Sequence, residues 1–156
     1  MNISLIDLEE NMPKKIITND FFGEEEVRKK NRMFAGTIER RHIERDELAS
    51  DYLAEAAQKI IKRLNLNSQH DVDVILTNVS IPDEAFTGCG AVIAKKIGAH
   101  PKWILDLHNT GCVSFVYLLD MARIYMKANG ARHALICIGQ TAGGRIFGQP
   151  DTRLLA

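Results

Sequence analysis

Several common sources of stability and function are scarce in this sequence. Only three cysteines occur, Cys89, Cys112 and Cys137. An odd number at no metal-ligand spacing argues against a disulfide framework and a structural zinc. Aromatic residues make up 6% of the chain, and the basic residues are not interleaved with them, which argues against nucleic-acid recognition. Lys plus Arg and Asp plus Glu number 20 each, so the formal net charge is zero and no polyanion or anionic membrane is implied as a partner. No segment approaches the roughly 18 apolar residues that span a bilayer, and Met1–Glu10 lacks a basic leader followed by a long apolar run. The expected location is cytoplasmic. Dinucleotide-binding, P-loop, zincin and nucleophile-elbow motifs are missing too, as are internal repeats and low-complexity tracts.

What is present is ordinary globular material: 156 residues, 46% apolar and 26% charged, enough for one domain with a real core. Residues 3–8 alternate apolar and polar and predict a strand, continued near Lys15–Ile17 after Pro13. Thr18, Asn19 and Asp20 offer capping oxygens for a short helix through Phe21, Phe22 and Glu24–Arg28. Asn31–Asp46 holds Arg32, Arg40, Arg41, His42 and Arg45 among few apolar residues. It reads as a solvated loop or irregular hairpin, with anion binding as the competing reading. From Ala49 to Leu64 apolar residues fall on one helical face, with Ser50 or Asp46 as its cap. Val72–Thr77 is a buried-type strand, Phe86–Ile97 a helix of small residues, and Gly98 its terminator. Arg132–Gly139 predicts another buried strand, after which the pattern is lost. Strands alternating with helices imply an α/β fold with a mainly parallel sheet and helices packed on it.

The stretch Ile104–Leu119 carries the clearest chemistry. A short apolar run leads through Asn109-Thr110-Gly111 to Cys112, and an apolar pattern of helical period follows. A thiol at the start of a helix lies beside unpaired backbone N–H groups and the positive end of the dipole, both of which favour thiolate, the nucleophilic form. Gly111 would let the turn aim the sulfur outward. Cys112 is therefore a candidate acyl-accepting nucleophile; the competing reading is a small buried apolar residue. His108 lies nearby but reads as structural, and His42, His70, His100 and His133 show no catalytic pattern. No metal ligands and no cofactor are expected.

Four segments in register resemble the N-terminal half of the β-ketoacyl-ACP synthase III group, initiating condensing enzymes with a thiolase-like fold. They are Met12–Asn19 (a "YLP…TN" region), Gly36–Ile43 ("TGIxxRH"), Ala85–Gly88 leading a helix, and Gly111–Leu118, which stands where that group has "ACSGFxYAL". The strand Ala134–Gly139 after Asn129-Gly130 matches the continuation. The resemblance implies that Cys112 accepts the acyl group. It implies that Phe86 reaches across a dimer interface to line the partner's acyl pocket, and that Arg41 and His42 are structural. Acyl carrier protein or coenzyme A thioesters are the implied substrates, in fatty acid or polyketide biosynthesis.

The sequence also departs from that pattern. The Trp and Arg that grip the adenine end of coenzyme A are replaced by Asn31–Gly36. The segment before Cys112 is Asp-Leu-His-Asn-Thr-Gly rather than an Ala-rich run, and Val113-Ser114 replaces a common Ser-Gly. Residues 1–156 are expected to form a single thiolase-like N-terminal half domain, with the C-terminal half absent. The His and Asn that stabilise the enolate belong to that half, and residues 140–156 contain neither residue type. Two functions follow: the nucleophile-bearing part of a condensing enzyme, in a homodimer or in a heteromer with a chain carrying the other half, or a non-catalytic thiolase-like subunit that scaffolds a partner synthase.

Overall fold

A computed structural model describes residues 3–22 and 36–146. The expected helical residues 24–28 and most of the Asn31–Gly36 segment lie outside the described residues. The chain divides into two compact units, one of Met1–Asn11 with Leu48–Gln140, the other of Met12–Glu47 with Thr141–Ala156.

The smaller unit is built on an antiparallel pair, β1 (Lys15–Thr18) and β2 (Glu39–His42), in which Lys15 faces His42 and Thr18 faces Glu39. A 3-10 turn, Asn19–Phe22, follows β1. The Asn19 side chain ties this turn to the hairpin: its Nδ2 donates to the Thr37 carbonyl at 2.8 Å, and its Oδ1 accepts from Arg40 Nη2 at 2.9 Å. His42 is buried (3% exposed), with Phe21 and Phe22 edge-on at 6.2 and 6.1 Å. Burial lowers the imidazole pKa from its ordinary value, helped by the Arg40 and Lys15 charges and opposed by Glu44. Arg41 is exposed and donates to the Pro13 and Lys14 carbonyls at 3.4 and 3.2 Å. Both members of the "RH" pair are thus occupied in holding the unit together.

The larger unit contains helices α1 (Ala49–Arg63), α2 (Ser68–Asp71), α3 (Gly90–Ile97) and α4 (Ser114–Asn129), and strands β3 (Val74–Val79), β4 (Trp103–Asp106) and β5 (Ala134–Gly139). A last short helix, α5 (Ala142–Arg145), belongs to the smaller unit. The sheet is parallel in the order β4-β3-β5, and all six residues of β3 are buried. A strand flanked on both sides and covered on both faces is mostly apolar, which is why this segment reads as a buried strand despite the polar Thr77 and Asn78 within it. Val74 and Leu76 pack with Leu118, Ala122 and Met126 of α4. By the pleat, Ile75, Thr77 and Val79 turn to the other face, where α1 and α3 lie. There Leu53 of α1 approaches Gly139 of β5, and Gly90 of α3 approaches Ile104 of β4. The α/β reading with a mainly parallel sheet and packed helices holds, the antiparallel β1–β2 pair making the strand set mixed.

Local expectations differ in several places, among them β5, which begins at Ala134 rather than Arg132. Residues 3–8 form no strand: their alternation meets no neighbouring strand, and Leu5, Ile6 and Leu8 are exposed. β3 starts and ends two residues later than the pattern predicts, because it runs as far as its partner β5 extends. The small-residue helix begins at Gly90 rather than Phe86, which lies in a turn. The cap of α1 is neither Ser50 nor Asp46. Both carboxylate oxygens of Asp83 accept the first N–H groups, Ala49 at 2.7 Å and Ser50 at 2.8 Å. The Ser50 hydroxyl accepts instead from Lys96 Nζ at 2.8 Å. Gly98 ends α3 in the left-handed conformation, as expected (φ 68°).

Candidate active site

In open parallel sheets, ligand sites gather beyond the carboxyl ends of the strands. Three connections leave that end here: Ser80–Cys89 after β3, Leu107–Thr110 after β4 and the segment from Gln140 after β5. The first carries Phe86 and the second leads to Cys112.

Asp106, the last residue of β4, ties these segments together. Its Oδ1 accepts from the backbone N–H groups of Cys89 and Gly90, each at 2.9 Å, and from the Thr77 hydroxyl. A carboxylate here satisfies the opening N–H groups of α3 and places negative charge at the helix's positive end. The close approach depends on missing side chains. A Cβ on Gly88 (φ +72°) would lie 2.5 Å from Asp106 Cγ, and one on Gly90 would lie 2.5 Å from Ile104 Cγ2. The Gly-Cys-Gly run is thus explained by the carboxylate packed over it.

The loop after β4 is held by β3. Leu107 N–H extends the ladder to the Thr77 carbonyl at 2.8 Å. Asn78 Nδ2 donates to the Leu107 carbonyl at 2.6 Å and to Thr110 Oγ1 at 3.2 Å. A single 3-10 turn, Gly111–Val113, follows, with Gly111 in the left-handed region at φ 51° and Val113 N–H bonded to the Thr110 carbonyl at 3.2 Å. α4 then starts at Ser114 with no side-chain cap. Cys112 is exposed on that turn, immediately ahead of the open N-terminus of a 16-residue helix.

The three thiols have different surroundings. Cys112 faces solvent, whereas Cys89 and Cys137 are buried at the other helix and in β5. Burial pushes the Cys137 thiol up to about 12, with smaller contributions from Cys89 and Asp106, so it stays protonated at neutral pH. Phe86 is 100% exposed, so in this chain it lines no pocket with Cys112. His108 is exposed, and His133 Nδ1 lies 2.9 Å from the Asp71 carbonyl in a structural contact. Sequence reasoning missed Asp106, Asn78, Thr77 and Thr110. A polar Thr-Asn pair inside a buried strand was the available signal.

Several solved structures share this fold. The chain superposes with a TM-score of 0.72 on 3-oxoacyl-[acyl-carrier-protein] synthase III from Aquifex aeolicus VF5, at 22% identity, over 86% of this chain and 44% of that one. Another 3-oxoacyl-(acyl-carrier-protein) synthase III gives 0.71 at 25% identity over 88% and 41% of the two chains. AbyA1, a tetronic acid condensing enzyme, gives 0.71 at 20% identity. The fold is that of half a thiolase-like condensing enzyme. In sequence, β-ketoacyl-[acyl-carrier-protein] synthase III of Clostridium perfringens (strain ATCC 13124) is 33% identical over 104 residues, 67% of this chain and 32% of that protein. The Ehrlichia canis protein of the same name is 28% identical over 147 residues, 90% of this chain and 44% of the relative. No family profile matches. The chain is therefore homologous to part of β-ketoacyl-[acyl-carrier-protein] synthase III and has the fold of its N-terminal half. It spans about a third to under half the length of these relatives.

Proposed function

We propose that this chain supplies the acyl-accepting cysteine of a β-ketoacyl-ACP synthase III-type condensation. The observation that carries the reading is Cys112, the exposed thiol of the three, on a 3-10 turn at the uncapped N-terminus of α4. The Cys112 thiolate attacks the carbonyl carbon of an acyl thioester. A new C–S bond forms, the bond to the carrier sulfur breaks, and the carrier leaves as a thiolate that takes up a proton. The Cys112 N–H is the candidate donor to the transient oxyanion. The carrier is an acyl carrier protein or coenzyme A. Carbon–carbon bond formation also needs donors for the developing enolate, a His and Asn pair supplied from outside these 156 residues. The functional unit is a homodimer, or a heteromer with the chain bearing that pair, and Phe86 lines the acyl pocket of the neighbouring subunit.

Intact-mass measurement after incubation with acetyl-coenzyme A and with acetyl-acyl carrier protein tests this. An acetyl increment that disappears in Cys112→Ala is expected, with no β-keto product from these residues alone. Absence of any increment, with and without co-purifying chains, would favour the second reading, a non-catalytic scaffold. A condensed product from this chain by itself would overturn the division of labour.

A further inference from the structure

We propose that Asn78 is a positioning residue for Cys112, acting through Thr110. The inference rests on the reading of Cys112 as the acyl acceptor. Asn78 is a carboxamide 8% exposed in a strand that is otherwise apolar but for Thr77. Burying an amide costs free energy unless its N–H groups find acceptors, and both acceptors of Asn78 Nδ2 lie on the Cys112 loop. The β3–β4 ladder does not need this side chain. It is already continued past Asp106 by the bond from Leu107 N–H to the Thr77 carbonyl. What the side chain adds is reach beyond the ladder to the Thr110 hydroxyl. Thr110 in turn accepts the Val113 N–H that closes the 3-10 turn carrying Cys112.

Order thus passes from the buried strand to the turn through one amide and one hydroxyl. The rest of the loop offers little to replace it: His108, Asn109 and Gly111 are exposed, and Gly111 has left-handed backbone freedom. Without the Asn78–Thr110 bond, the sulfur would sample orientations away from the helix N-terminus. Ground-state binding of a thioester would be little affected, while the fraction of encounters in attack geometry would fall.

The test is the single-turnover rate of Cys112 acetylation by acetyl-coenzyme A, followed by intact mass over a range of concentrations in the protein as isolated. Asn78→Ala and the isosteric Thr110→Val should each lower the limiting rate about tenfold while the half-saturating concentration stays within about twofold. Thr110→Ser, which keeps the acceptor, should restore the rate. Cys89 and Cys137 should stay protected from iodoacetamide in every variant, showing that the sheet is intact. Unchanged limiting rates in both deletions, a Thr110→Ser variant as slow as Thr110→Val, or slowing accompanied by exposure of Cys89 and Cys137 would each overturn the proposal. Should Asn78→Ala fail to fold, the Thr110→Val and Thr110→Ser pair decides alone. Should the wild type accept no acetyl group, the functional reading fails separately. Iodoacetamide rates at Cys112 in the same variants then decide positioning, a change in Thr110→Val without one in Thr110→Ser supporting it and equal rates ending it.

Discussion

Cys112, Cys89 and Cys137 offer a comparison of three thiols on one chain. Reactivity follows access and thiolate fraction, and burial removes both from Cys137, whose thiol is pushed up to about 12. Limiting iodoacetamide should therefore modify Cys112 first, with Cys89 and Cys137 reacting only after denaturation; early labelling of either buried thiol in the folded protein would remove the nucleophile assignment. His42 carries a different expectation. Its folded-state pKa is lowered, chiefly by burial and next by Arg40 and Lys15. The unfolded chain, with an ordinary imidazole near about 6.5, binds the proton more tightly than the folded one. Stability from the neutral buried ring is fully present above that value and is lost as pH falls from there through the folded pKa. The opening free energy of β1 and β2, read from amide exchange after correction for its intrinsic pH dependence, should fall between neutral and mildly acid pH, and a folded His42→Gln variant should show a flatter response.

At the scale of elements, two of the helices, α1 and α3, start where distant carboxylates meet them. Asp83 serves α1, and its replacement by Ala leaves two N–H groups at the helix start without their acceptor. A loss of about 1–2 kcal/mol is expected in urea denaturation. Asp83→Asn, which keeps one acceptor oxygen but not the charge, should fall between Ala and the wild type. Such caps were not legible in the sequence, because Asp83 and Asp106 lie far along the chain from α1 and α3, and local cap rules look only at neighbours. The helical runs themselves were legible, since the period of α1 and α4 is written in their own residues. β3 and β5 were legible as apolar runs, though their ends depended on the partner strand. The opposite error arose at residues 3–8, where alternation is a property of the segment and strand formation is a property of a pair. Cys112 was visible from its turn and helix, but Asn78 was not, because its role comes from a bond to a loop beyond the next strand.

For the molecule as a whole, several apolar residues are left in solvent, and the proposed association would cover them. Phe86 is fully exposed, and Phe115, Val116, Tyr117 and Ile124 of α4 are exposed outside the stripe that packs on the sheet. Phe86→Ala should lower self-association, or association with a sister chain, in sedimentation at micromolar concentration, while a wild type that is strictly monomeric and binds no partner would count against the interface. No helix among the described residues is long and apolar enough to cross a membrane. The parallel β3-centred sheet has a further consequence during synthesis. β3 leaves the ribosome before both of its neighbours, and its last pairing awaits Ala134–Gly139. Until then, a six-residue segment built for complete burial has at most β4 on one edge and nothing on the other. The nascent chain must therefore carry an unpaired edge of this buried strand while residues 80–133 are made, a vulnerability set by non-local pairing and independent of how stable the finished protein is.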